Sequence, residues 1–181
     1  MSPHTAIHTV IDKILQSIDR GETAALTLLD QRSAFDLIDH KILLKKMELY
    51  NYHKDTIKWF RSYLQNRKLK TKVRNTSSKE EQMQPYGTTQ GSVLGAILFI
   101  IYVNDFPAER KESDTTCYVD DNADITSDKE IYKLEEKTQR EATHSHEWLK
   151  ANGLALSPEK TKLLILATNK KKIKMGNIKQ K

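Results

Sequence analysis

Only one cysteine, Cys117, occurs in the 181 residues. A disulfide framework within the chain is therefore excluded, as is a zinc site built from several thiolates, and the usage fits a reducing, intracellular setting (nucleus or cytoplasm) rather than a secreted one. Also missing is any basic segment followed by an apolar block at the amino terminus, where "MSPHTAIHTVIDKIL" does not have the form of a secretory signal. The longest uncharged stretch, "GTTQGSVLGAILFIIYVN", holds too few strongly apolar positions for a transmembrane helix, which needs roughly 18 or more, so it is expected in the core. There is no internal repeat. Acidic residues are absent from two segments: "TIKWFRSYLQNRKLKTKVRNTSS", and the tail beyond Thr168, which carries six lysines. Of 30 basic residues the tail thus holds six, and the remaining 24 balance 24 acidic ones, so the body is neutral overall. The net charge of +6 lies in the tail, expected to be a disordered segment over 169–181.

What is present reads as one domain over 1–168, of ordinary globular composition. Ile7, Val10, Ile11, Ile14, Leu15 and Ile18 recur at helical spacing and Gly21 ends that helix. "AALTLL" is a buried strand ending at Asp30. Helical spacing resumes through Ile38, Ile42 and Leu49, with Asp39 placed to cap it. A further helix is expected over "KDTIKWFRSYLQ", then a pair of strands, "KLKTKVR" and "EQMQPYG", around the turn "NTSSKE". A break at Gly87 to Gly91 precedes a buried helix from Val93 to Val103, with Pro107 as a stop. "TTCYV" and "ADIT" flank a turn at Asp120 to Asn122. A surface helix with Ile131, Leu134 and Trp148 as apolar markers ends at Gly153, and "KTKLLILAT" is the last strand. The irregular alternation with a hairpin predicts an α+β fold, an antiparallel or mixed sheet covered by helices on one side.

Asp120 and Asp121 can be read two ways. Aspartates favour turns because they bond their own backbone. Yet Asp30 also sits at the end of an apolar strand, and three carboxylates from two adjacent strand ends can hold two Mg²⁺ ions, with Mn²⁺ as the alternative. Such a constellation suits nucleotidyl transfer. The acid-free segment is likewise ambiguous. Lys58, Arg61, Arg67, Lys68, Lys70, Lys72 and Arg74, interleaved with Trp59, Phe60 and Tyr63, would suit a phosphate backbone; an amphipathic helix with solvated cations has the same pattern.

Four ordered motifs add a resemblance. "LTLLDQRSAFDLIDHKIL", "GTTQGSVLGAILFIIYVND", "CYVDD" and "WLKANGLALSPEKTKLLIL" resemble the palm motifs of reverse transcriptases (RNA-directed DNA polymerases) from non-LTR, LINE-like and jockey-like retrotransposons. "IKWFRSYLQNRK" is similar to the same group. The likeness runs from about Thr5 to Thr168. It implies a polymerase palm with fingers and thumb largely absent, acting on an RNA template, a DNA primer and dNTPs. Asp30 and Asp120 would be the metal-binding catalytic carboxylates, with Asp121 in support. Phe35 would be the steric gate against a ribose 2′-hydroxyl, and Gln90 and Gly91 would shape the nucleotide pocket. Lys160 would lie near the triphosphate, where a cation can stabilise or protonate departing pyrophosphate. The chain departs from the usual pattern at Thr89, Ala96, Val119 and Asn122, none of them a metal ligand. An inactive remnant that binds nucleic acid non-specifically is the alternative reading. His144 and His146, two apart on a helix, diverge and are expected at the surface, and Cys117 is expected to be a structural thiol.

Overall fold

The computed structural model describes residues 2–65, 67–70, 72–74, 76–79, 81–82, 85–88, 91–106, 112–118 and 121–167, with backbone alone at 69, 72, 81 and 82. Asp120, Gln90, Thr89, Val119, Pro107, the side chain of Lys72 and the tail over 169–181 lie outside the described residues. The first helix, α1 (Pro3–Asp19), starts where the Ser2 hydroxyl accepts from the Thr5 N–H at 3.2 Å, with proline at its first position, where no partner for an N–H is needed. It stops at Gly21, whose φ of +72° lets the Glu22 N–H turn back to the Ser17 carbonyl.

The chain then enters β1 (Thr23–Leu29), and two helices follow, α2 (His40–Leu49) and α3 (Lys54–Leu64). Asp39 caps α2 as expected, accepting from the N–H groups of Lys41 at 2.7 Å and Ile42 at 3.2 Å. Four two-residue strands come next, β2 (Lys68–Leu69), β3 (Lys72–Val73), β4 (Thr76–Ser77) and β5 (Glu81–Gln82). They form nested ladders, β3 with β4 inside β2 with β5, so the tight reversal lies at Arg74 rather than along "NTSSKE". Arg74 has φ +54° there. The remaining elements are α4 (Val93–Val103), β6 (Asp114–Tyr118), β7 (Asp121–Asp128), α5 (Ile131–Ala151) and β8 (Lys162–Leu166).

The main sheet has the order β6-β7-β1-β8, antiparallel at every junction. Its register sorts the two faces. Ala24, Leu26 and Leu28 share one face with Ala123 and Ile125; Ala25, Thr27 and Leu29 share the other with Asn122, Asp124 and Thr126. On the first face lies α1, where Ile14, Val10 and Ile18 pack on Ala24, Leu26, Ile125 and Leu166. On the second lies α5, tied to β7 by Lys137–Asp128 at 2.7 Å and a Thr126–Thr138 hydroxyl pair at 2.7 Å. Helices therefore cover both faces, not one. The alternation of apolar residues on both sides of β1 requires it, because each face must be screened from water.

The larger core lies among α2, α3, α4 and the end of α5, around Phe99, Tyr102, Leu98, Met47, Leu43 and Leu149. Tyr102 is its polar hub: the hydroxyl donates to the Asn152 carbonyl at 2.5 Å and accepts from the Asp39 N–H at 3.4 Å. Burial pushes its ionisation up to about 12. Beside it, the buried Lys46 ammonium donates to the Tyr102 carbonyl at 2.7 Å and to Asp105 at 2.6 Å, and lies 4.6 Å from the centre of the Trp148 ring. Burial lowers the Lys46 pKa and the Asp105 carboxylate opposes that shift. One residue thus joins α2, α4 and α5.

Several expectations shift. In α1, Ile7, Ile11 and Leu15 face solvent, so only part of the expected apolar face is buried. In α4, Val93, Ile97 and Ile100 are exposed, so this helix is buried on one side only. Leu49 and Ile131 are exposed rather than core. Asp121 and Asn122 belong to β7 rather than to a turn, with Asn122 buried. His144 and His146 are exposed on α5 as expected, and Cys117 is partly buried against the larger core.

Candidate active site

The site begins at the end of β1. Leu29 pairs with Asn122 in the antiparallel ladder, so Asp30, one residue on, emerges beside Asp121, the first residue of β7. Asp121 in turn pairs with Tyr118 of β6. The two ends of the hairpin and the end of β1 thus meet at one edge of the sheet, as the two-strand-end argument requires. Asp120 lies outside the described residues, next in sequence to Asp121.

Lys160 arrives by a different route. The Ser157 N–H donates to the Asp30 carbonyl at 2.8 Å, and the Arg32 N–H donates to the Ala155 carbonyl at 2.8 Å, so the loop after α5 is zipped along the end of β1. A turn closed by Lys160 and Thr161 N–H groups on the Ser157 carbonyl then points the lysine back. Its ammonium stands 3.7 Å from Asp30 Oδ2, an ion-pair distance but longer than a hydrogen bond. That oxygen is buried and accepts no hydrogen bond. A carboxylate oxygen left in this state costs desolvation free energy unless a cation completes it.

Phe35 sits on the loop between β1 and α2, its ring stacked on Phe99 of α4 with centroids 4.7 Å apart. This loop is held from behind by the segment at Gly87. The Gly87 N–H donates to the Ile38 carbonyl at 2.8 Å, the Thr88 N–H to the Phe35 carbonyl at 2.9 Å, and the His40 ring lies 2.7 Å from the Gly87 carbonyl. Gly87 is required there. Its φ is +82°, and a Cβ would come within 3.0 Å of the Asp36 carbonyl oxygen. At Gly91, with φ +79°, the demand is on backbone angle alone. Gln90, immediately before it, is outside the described residues.

Two cavities meet at Asp30. One, of about 480 Å³, is lined by Asp30, Gln31, Ala34, Phe35, Gly91 and Lys160. The other, of about 530 Å³, lies between the start of α1 and the sheet and includes Asp30, Tyr118, Asp121, Lys160 and Lys162. Both share the aspartate and the lysine. The motifs therefore converge: Asp30, Phe35, Gly91 and Lys160, spread over 131 residues of sequence, line one cavity. Sequence reasoning missed Gln31, buried with an unpartnered side-chain oxygen and lining the same cavity, and missed Gly87 and His40, which hold the loop of Phe35. The glycine had a signal, since it stands in a break before a helix. Gln31 had none, because its burial depends on the bridge to Leu156.

No described residue of the basic segment lines either cavity. Lys58 and Arg61 are exposed on α3, Lys68 is exposed on β2, Lys70 and Arg74 are exposed just beyond β2 and β3, and Arg67 is partly buried. Phe60 of the same helix is buried in the core.

A four-stranded antiparallel sheet flanked by helices, with a carboxylate-bearing hairpin beside the end of a central strand, is the architecture of a polymerase palm. Residues 3–177 match the family model described as reverse transcriptase (RNA-dependent DNA polymerase), and the chain belongs to that family. Among curated relatives, the probable RNA-directed DNA polymerase from transposon BS of Drosophila melanogaster is 28% identical over 86% of this chain and 18% of its own length. The RNA-directed DNA polymerase from mobile element jockey of the same species is 27% identical over 85% of this chain and 17% of its own. The family branch is thus that of non-LTR transposons, and the chain spans less than a fifth of these relatives' length. Among solved structures, an apo telomerase from Candida tropicalis truncated from its C-terminal domain superposes with a TM-score of 0.66 at 18% identity, covering 94% of this chain and 36% of that one. Telomerase from Candida albicans, in complex with a fragment of telomeric RNA, gives a TM-score of 0.64 at 15% identity, over 90% and 31%. These likenesses bear on the fold. Among the described residues no helix is long and apolar enough to cross a membrane.

Proposed function

We propose that the chain is a reverse transcriptase palm, adding dNTPs to a primer 3′-hydroxyl on an RNA template by two-metal-ion catalysis. The observation that carries this reading is the convergence of Asp30, Phe35, Gly91 and Lys160 on one cavity. Asp30, Asp120 and Asp121 would hold the ions. Their donor set is oxygen only, the preference of Mg²⁺ (Mn²⁺ as alternative), and the buried, unpartnered Oδ2 of Asp30 suits a cation ligand. Among the described residues no group of three such ligands is gathered; Asp120, outside them, would be the third member. When bound, the ions would activate the attacking hydroxyl and stabilise the leaving pyrophosphate.

The protein's own residues do the rest. Lys160 would neutralise charge on the triphosphate in the cavity it shares with Phe35, and would supply a proton to pyrophosphate. Phe35, backed by Phe99, would fill the space a ribose 2′-hydroxyl needs. Gln90 and Gly91 would border the base. The primer terminus would approach from the second cavity, past Tyr118 and Asp121. Primer extension on an RNA template with Mg²⁺ and dNTPs tests the proposal: full-length product with the wild-type chain and none with Asp30→Asn or Asp120→Asn supports it. Equal signals from wild type and both variants would falsify it.

A second reading, nucleic-acid binding without chemistry, is favoured by the exposed cations of α3 and the short strands. In it, oligonucleotide affinity falls steeply with salt and is unchanged by Asp30→Ala and Asp120→Ala.

A further inference from the structure

The basic segment carries more than charge. Along α3 the inward positions Ile57, Phe60 and Leu64 are buried, which completes the helix's contribution to the core. Trp59 and Tyr63 stand on the flank of that stripe, one turn apart. Their rings are nearly parallel, 8° between planes with centroids 5.6 Å apart, and the Arg67 guanidinium continues the stack 4.6 Å from the Tyr63 centroid. Trp59 ends the series and is 53% exposed, whereas the other tryptophan, Trp148, is buried. The buried Phe60 ring meets Trp59 in a T-shaped contact, 83° between planes with centroids 5.0 Å apart. The indole is thereby fixed in orientation while half of its surface stays in water.

From Lys58 to Arg74 the sequence contains no acidic residue; Lys58 and Arg61 are exposed on the same helix, and Asp55, one turn before Trp59, pairs with Lys58 at 3.5 Å. A flat, pre-oriented ring bordered by cations matches a nucleobase with its phosphates, since stacking supplies sequence-tolerant affinity and cations track the backbone.

We infer that Trp59, Tyr63 and Arg67 form a stacking platform for an unpaired base of single-stranded nucleic acid, at a place apart from the two cavities at Asp30. The inference deepens the nucleic-acid-binding reading of this segment and rests on it, but not on polymerase activity. A duplex hides its base faces, so the platform selects single strands, or the terminal base of an overhang, over blunt duplex.

Fluorescence anisotropy with the full chain tests it, using a short single-stranded oligonucleotide, a blunt duplex and an abasic oligonucleotide of equal length and charge. Trp59→Ala should weaken the single strand about tenfold and leave its salt slope unchanged, with Trp59→Phe restoring most of the loss. Arg61→Gln should instead lower that slope by about 0.7 for one phosphate contact. The abasic strand should bind the wild type as weakly as the single strand binds Trp59→Ala. If Arg61→Gln weakens binding but Trp59→Ala does not, the electrostatic reading stands and the platform is wrong. An absence of all oligonucleotide binding removes both. Equal binding of the abasic strand, or a polyglutamate peptide bound with the same dependence on Trp59, would also overturn it, the latter in favour of an acidic protein partner.

Discussion

Asp30 does three things with one residue: its carbonyl receives the Ser157 N–H, its side chain lies where two cavities meet, and its charge draws Lys160 to 3.7 Å. Replacing it with asparagine keeps the shape and removes the charge. In primer extension Asp30→Asn is expected to lose about 10²-fold or more, while its urea midpoint stays near wild type. Phe35→Val opens the cavity wall and gives up the stack on Phe99. The expected outcome is a higher ratio of rNTP to dNTP incorporation in single-nucleotide extension, with a stability loss of about 1 kcal/mol. Lys46 offers a contrasting case, buried and remote from the proposed chemistry. Lys46→Ala leaves Asp105 without its cation and empties space against Trp148, so urea unfolding should register a loss of about 3 kcal/mol. Its sequence neighbours give no hint of this, because a lysine within "LLKKMEL" reads as a solvated side chain.

Elements were legible where their cause is local. Asp39 was readable as the cap of α2 because a cap needs only residues two or three positions apart; Ser92 caps α4 in the same way, its hydroxyl accepting from the Gly95 N–H at 2.9 Å, though it was not singled out from the sequence. Asp39→Ala should cost about 1 kcal/mol by thermal denaturation, with additional loss if the Tyr102 contact loosens. Gly87→Ala should cost more than a cap does, because the new methyl meets the Asp36 carbonyl at 3.0 Å in a backbone conformation that favours glycine. Its second signature is a raised KM for dNTP, since the loop it braces carries Phe35. Elements were misjudged where partners decide. The apolar residues of α1 fit one helix, but the sheet presents room for Ile14, Val10 and Ile18 alone and leaves Ile7, Ile11 and Leu15 in water. The short strands after α3 were expected as one pair, and the tight reversal at Arg74 divided them into two.

At the scale of the whole molecule, helices on both faces clamp the sheet, and the clamp of α5 has a pH signature. The Lys137 ammonium and the Glu130 N–H hold the Asp128 carboxyl down to about 2, below its usual 3.8. The stabilisation is fully present above about pH 4 and is lost as pH falls from there towards 2, where the folded protein must also take up the proton. Asp128→Asn should therefore show a smaller fall in urea midpoint between pH 4 and pH 2 than wild type, at the cost of a lower midpoint at neutral pH. By itself the sequence offered Asp30 at a strand end and the aspartate pair through residue type and spacing, and Phe35, Gly91 and Lys160 through the resemblance of four ordered motifs. Only the tertiary structure decided that Asp30, Phe35, Gly91 and Lys160 line one cavity. Register is a long-range property: pairing Leu29 with Asn122, and bonding Ser157 to Asp30, brings residues more than a hundred positions apart to one cavity, and no local pattern encodes that distance.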